Sequence, residues 1–542
     1  MILEYNTFRI YGDESLNLLH ALAACREQQA AGLHFQTGTY RFRDTLASEM
    51  VLCMANHGEN GFKRTAFLLE DLENFEIDGG DSLFIFESVM NVVTALRCRG
   101  LVLRNFTVSM PVCPYPQGRV IAAGVDSFDV AFSYPGELTV EGGKLWISDG
   151  AQKELVICNV EFNGETREIE PGTGDHSVGA SLASLRKEKI APNVIRFFDP
   201  PRIPPVGNVL VLMIARRYAS GLFFDGCSDI LLERVTIHSC MGIGVMAQCC
   251  HNVTIKNCKV SAAEGSYIST GADATHFVSC TGQIEIEDCL FENMLDDALN
   301  VHGVYLRICR SAPGWAVVRF CHAATSGIDM LRPGDKVCQM NAKTLIPEKE
   351  LTVSSVCRIN CETVELSFYE AETLTEGFVL ENLTAYPALK LLRCTIRNNR
   401  ARGLLIAARR RCVIEDCDFH TGGSAIVLEC DAEFWHESGA VRDLVIRGNR
   451  FYGCKHARWG AGVIYIPPRE EILPQRYYHG RIAVIGNRFL SCRDDVLVAD
   501  NITELIYEDN TSDRGHLIHM HHIGQARLQP DALAVLDEKG KP

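Results

Sequence analysis

In the stretch GADATHFVSCTGQIEIEDCLFENMLDDALNVHG, from Gly271 to Gly303, Asp273 and the adjacent pair Asp296 and Asp297 are set in otherwise apolar, strand-like text. Carboxylates brought within several ångströms of one another resist ionising together, so at least one holds its proton to a raised pKa. A protonated acid beside an ionised one is what glycosidic hydrolysis requires, the first to serve the leaving oxygen and the second to activate water. His276, Asn300 and His302 share the stretch and are candidates to hydrogen-bond a sugar hydroxyl, with Asn300 equally readable as a bend residue. Asp273 and Asp296 are 23 residues apart, an interval that has meaning only if the chain repeats with that length.

Such a repeat exists. Period-two apolar segments recur as DILLERVTIHSC from Asp229, NVTIKNCKV from Asn252, QIEIEDCLF from Gln283, LKLLRCTIRNN from Leu389, RCVIEDCDF from Arg411, DLVIRGNRF from Asp443 and IAVIGNRF from Ile482. Each reads as a short strand followed by a polar bend. Arg234 to Asn257, Arg393 to Asp416 and Asn487 to Asn510 all span 23 residues, too few to fit two strands and a helix. The reading is all-β, a parallel β-helix with small antiparallel insertions. Asn257, Asn449, Asn487 and Asn510 are taken as bend residues, and Cys258, Cys289 and Cys417 as inward packing.

The expected organisation is an N-terminal cap with the first coils over 1–110, an antiparallel β insertion over 111–215, coils carrying the acids over 216–304, a barrel-like insertion over 305–387, and C-terminal coils with a tail over 388–542. An amphipathic helix near Ser15 to Gln29 would close the open end of the stack. On this plan Asp273 and Asp296 hold equivalent places on successive coils, about 5 Å apart along the axis. Asp297 would face the other way on an ideal strand, so all three converge only if the pair lies at a bend.

Composition narrows the partners. The 542 residues carry a formal charge of −15 and are 47% hydrophobic, which suits a large core and disfavours nucleic acid or an anionic membrane. The arginine run ARRRC from Ala408 reads as a solvated face. The 23 cysteines are odd in number and lack framework or zinc spacing, which points to reduced, buried thiols, no metal site and a cytoplasmic address. Neither a basic n-region with an apolar run nor an uninterrupted membrane-length segment is evident.

STGADATHF, IEIEDCLFENMLDDALNVHG, NRARGLLI and SAIVLECDAEFWHESGAVRDLVIRGNRF, in that order, together with GTYRF, GNVLVLMIARR and RPGDKV, resemble glycoside hydrolase family 110, the α-1,3-galactosidases, over nearly the whole chain. The resemblance implies a right-handed parallel β-helix with β-barrel insertions, and metal-independent, cofactor-free, inverting release of terminal galactose from Galα1-3Gal linkages. It places the catalytic acids on Asp273, Asp296 and Asp297, with Asp296 as general acid and the other two holding the attacking water. Arg402, Asp431, Trp435 and Glu437 also match family motifs: Trp435 offers a face for a sugar ring, Asp431 and Glu437 would accept from hydroxyls, and His436 stands where an aromatic is expected.

Competing readings are another α-galactoside or an α-N-acetylgalactosaminide as substrate, a β-helix polysaccharide lyase, and a non-catalytic glycan-binding solenoid. The lyase needs Arg or Lys beside the carboxylates, and Gly271 to Gly303 contains neither. The expected partner is an oligosaccharide or glycoconjugate with terminal α-galactose, and the oligomeric state stays open.

Overall fold

The computed structural model describes residues 1–57, 60–111, 114–148, 153–469, 471–492 and 495–536. Its backbone winds into a parallel β-helix with three walls. One wall stacks Leu222–Asp225, Val245–Gln248, Thr275–Val278, the start of Leu299–Ala312, and Leu404–Ile406. A second runs through Ser228–Ile237, His251–Lys256, Thr281–Glu287, Ala388–Leu392, Arg411–Glu415, Asp443–Arg447 and His479–Ile485. The third consists of two- and three-residue strands such as Leu290–Glu292, Thr395–Arg397 and Asp418–His420. Alternate residues point inward and make one continuous apolar core along the axis.

The chain turns between the second and third walls at Arg234, Asn257, Asp288, Arg393, Asp416, Gly448, Gly486 and Asp509, all with φ between 49° and 67°. Asn, Asp and Gly tolerate this left-handed conformation. Arg393, which does not favour it, is held by ion pairs with Glu287 and Asp288 of the coil below. The residue after each turn points inward, and here the sequence reading needs correction. Asn257 is an exposed turn residue, whereas Asn449, Asn487 and Asn510 lie one step on, buried, in register with Cys258, Cys289, Cys394 and Cys417. Along this line backbone N–H groups bond the side chain of the coil above: Cys258 N to Cys289 Sγ at 3.4 Å, Cys417 N to Asn449 Oδ1 at 2.9 Å, and Asn487 N to Asn510 Oδ1 at 2.9 Å. A sulfur ladder therefore continues as an amide ladder and ends on Gln529.

The helix Glu14–Glu27, N-capped by Asp13 accepting from Leu16 N at 2.9 Å, buries Leu18, Ala21, Leu22 and Cys25 against the first coils. Two antiparallel units interrupt the helix. The first is an eight-stranded sheet between Gln117–Ala123 and Val209–Ile214. The second is a closed six-stranded barrel built from Leu299–Ala312, Trp315–Phe320, Thr363–Phe368, Pro347–Arg358, Lys336–Met340 and Val379–Asn382. Strand Leu299–Ala312 belongs to both: its first residues are a rung of the helix, and the rest leaves as a barrel stave. Gly303 sits at that exit, where a Cβ would lie 2.6 Å from both Ser438 Oγ and Tyr386 Oη.

Candidate active site

The acids lie on the first wall, at the mouth of the second barrel. Pairing of Thr275 with Leu299 and Val278 with His302 fixes a coil of 24 residues here, one more than the 23 between Ser228 and His251 on the second wall. Asp273 therefore stacks under Asp297, and Asp296, the partner expected from the 23-residue interval, precedes that position by one. The extra residue sits in the turn Asn293 to Ala298, which also lets adjacent Asp296 and Asp297 both face the cluster. The 105-residue offset to the next coil, caused by the inserted barrel, brings Arg402 above Asp297.

Each acid has a different cationic environment. Asp296 accepts from Arg217 Nη2 at 2.7 Å and Arg400 Nη1 at 3.1 Å, and Arg400 is itself gripped by Asp175 of the first insertion at 2.6 and 2.8 Å. Asp297, 1% exposed, takes Arg402 Nε at 3.0 and 3.1 Å and the Arg402 backbone N–H at 3.1 Å. Asp273 has no bonded arginine among the described residues; its Oδ2 meets His276 Nδ1 at 2.6 Å. Burial pushes all three carboxyls up. Arg400, Arg217 and Arg402 overcome this at Asp296 and hold it below the ordinary carboxylate range. At Asp273 burial wins, helped by the charge of Asp296, and its pKa rises to about 8. Burial likewise drives Asp297 to about 8 against the pull of Arg402, which holds both its carboxyl oxygens through Nε and one of them through its backbone N–H.

His276 and His302 do not reach outward. His276 Nε2 meets His302 Nε2 at 2.9 Å, and His302 Nδ1 meets the Gly303 carbonyl at 2.7 Å, so all four ring nitrogens are engaged within the protein. Both imidazoles, expected to meet a sugar hydroxyl, thus form an internal chain from Asp273 to Gly303. Asn300 is stacked between His276 and Leu405, 4% exposed, with Oδ1 buried and unpartnered among the described residues. Glu437, in the short strand Glu437–Ser438 paired with Gly303 and Val304, is 3.6 Å from His302 Nε2. Asp431 is a turn anchor: its carboxylate accepts the backbone N–H groups of Glu433, Phe434 and Trp435 rather than facing a hydroxyl donor. That turn presents Trp435, 49% exposed, beside Phe434 and His322 of the barrel, with ring centroids 5.0 and 4.9 Å away. His436 is buried with φ +58°.

Reading along the chain missed Arg217, Arg400 and Asp175, because they join the site from a loop after the first insertion, the next coil and the insertion itself. The arginine pair closing GNVLVLMIARR was the available signal. Their presence removes one ground offered against a lyase, since bases do stand beside the acids; each, however, is committed to an ion pair. The run ARRRC is also only partly solvated, because Arg409 turns inward onto fully buried Glu381 at 2.7 and 2.9 Å. Among the described residues, His34, Glu76 and Asp78 have ligand-like spacing, but Arg104 already pairs with both carboxylates. No helix among them is long and apolar enough to cross a membrane, and the 22 described cysteines are free thiols.

Two family models match the chain: a right-handed β-helix region over residues 220–308 and the GLAA-B β-barrel domain II over 316–377. The chain is 30% identical over 518 residues to α-1,3-galactosidase B of Bacteroides fragilis, covering 90% of this chain and 86% of that protein. It is 31% identical over 538 residues to an α-1,3-galactosidase B of Phocaeicola vulgatus, covering 92% and 86%. It is also 29% identical over 514 residues to α-1,3-galactosidase A of Shewanella woodyi, covering 92% and 83%.

Proposed function

The chain belongs to the α-1,3-galactosidase family, glycoside hydrolase family 110, and we propose that it removes terminal α-1,3-linked galactose from Galα1-3Gal-type glycans by single-step hydrolysis with inversion. The observation that carries the reading is the uneven arginine coverage of the triad, two on Asp296, one on Asp297 and none bonded to Asp273. It supports a division of labour. Asp273 gives its proton to the glycosidic oxygen as the C1–O bond breaks. A water oxygen bonds C1 from the opposite face and loses its proton to the carboxylates of Asp296 and Asp297. The implied assignment of the donor to Asp296 is reversed here, because two guanidiniums hold Asp296 ionised.

Asn300, with a buried acceptor awaiting a donor, suits a galactose hydroxyl, and Trp435 with Phe434 suits the apolar face of the next sugar. Incubation with Galα1-3Gal, blood-group B, blood-group A, Galα1-4Gal and Galα1-6 substrates tests the proposal. Galactose is expected from the α-1,3 substrates first. Release of N-acetylgalactosamine alone, or of an unsaturated uronide from an acidic polysaccharide, would replace it.

A further inference from the structure

The chain Asp273, His276, His302, Gly303 has a direction that hydrogen-bond chemistry fixes. The Gly303 carbonyl carries no hydrogen, so the 2.7 Å contact requires the proton of His302 on Nδ1. A neutral His302 then has a bare Nε2, and the 2.9 Å contact between the two Nε2 atoms requires the proton there to be on His276. His276, if neutral, is bare at Nδ1, and its 2.6 Å contact with Asp273 can be made only by a carboxylic O–H. Both rings are buried, at 0% and 1% exposure. His276 lies well below the ordinary histidine range, at about 3, chiefly through burial. Removing the Asp273 proton would leave two lone pairs facing each other at one of these contacts, or force His302 to give up Gly303.

We propose that His276 and His302 are positioning residues that keep a proton on Asp273 in the free site, with the Gly303 carbonyl as the fixed end of the relay. The inference rests on the proposed acid role of Asp273 but concerns where the proton is held, which can be observed without turnover. The charged groups facing the relay are Asp296, Arg217, Arg402 and Glu437, the last with Oε1 3.6 Å from His302 Nε2; the Asn56 side-chain amide nitrogen stands 3.4 Å from His276 Nε2, a contact that the proposed tautomer makes only with the amide turned to present Oδ1. His57, itself pushed down to about 3 by burial, lies beyond.

Nitrogen-15 NMR of histidine-labelled enzyme at about pH 6.5 reads the tautomers directly. His302 is expected neutral with its proton on Nδ1, and His276 neutral with its proton on Nε2. His276 protonated on Nδ1, or either ring as a cation, overturns the proposal whether or not the protein cleaves α-galactosides. In His302→Phe, which keeps the ring shape and loses both nitrogens, His276 is free to turn its proton toward an ionised Asp273. The alkaline limb of kcat/KM for an aryl α-galactoside should then move down by about one pH unit or more, with KM changed by less than about threefold. A limb that stays in place while KM rises identifies the imidazoles as sugar contacts; a limb and KM both unchanged with a lower Tm identifies them as packing. Either result rejects the relay.

Discussion

Two ladders run along the same solenoid and obey opposite rules. The inward ladder from Cys258 to Asn510 repeats one solution on each coil, a small side chain that accepts the backbone N–H below it, and is complete within the helix. The ladder that passes through Asp273, Asp297 and Arg402 changes residue on every rung, and its neighbour Asp296 depends on groups from outside the stack: Arg217 after the first insertion and Asp175 through Arg400. Uniform rungs stiffen a solenoid because each polar group finds an identical neighbour. Non-uniform rungs meet unlike neighbours, and the mismatch gives each of the three acids a different number of arginines.

The comparison is broken most severely by removing the mismatch itself. Asp273→Asn and Asp296→Asn should each lower kcat/KM by about 10²-fold or more, and an aryl galactoside with a good leaving group should restore part of the loss in Asp273→Asn but not in Asp296→Asn. Rescue of the second variant alone would return the donor role to Asp296. Stability should follow a different course. A carboxyl whose folded pKa is raised destabilises the fold as pH climbs from the unfolded value toward about 8, so Asp273→Asn should keep or gain Tm at pH 8, measured by calorimetry.

Next in size is a paired test of the ladders. Arg402→Met leaves Asp297 buried without its cation and should cost about 3–5 kcal/mol in denaturant unfolding as well as activity. Asn487→Ala removes the acceptor to which Asn449 donates and the donor from which Asn510 accepts, and should cost about 1–3 kcal/mol while leaving kcat/KM near the wild-type value. If Asn487→Ala impaired catalysis as strongly as Arg402→Met, the two ladders would not be separable.

The same contrast explains what was legible in the sequence. Strands from Asp229 to Asn257 and from Leu389 to Asn510 are legible because apolar alternation repeats and a 23-residue spacing recurs among them. Asp273, Asp296 and Asp297 stand out because they interrupt that pattern. On the wall that carries the acids a 23-residue reading falls one short, since the 24th residue is absorbed in the turn around Asp296, where no periodic signal exists. Asn257 was grouped with Asn449 because both follow a strand in similar text; only stacking separates the turn position from the inward one. Arg217, Arg400 and Asp175 could not be placed, because two insertions carry them far along the chain from the acids they serve.

The anomer first released tests the central claim most directly. If Asp273 protonates the leaving oxygen while Asp296 and Asp297 direct water to the opposite face, no glycosyl-enzyme bond forms and the configuration at C1 inverts. Proton NMR of an α-1,3-galactoside digested by the wild-type enzyme, recorded before mutarotation, should show β-galactose accumulating first. Initial appearance of α-galactose would require a double displacement and contradict the account.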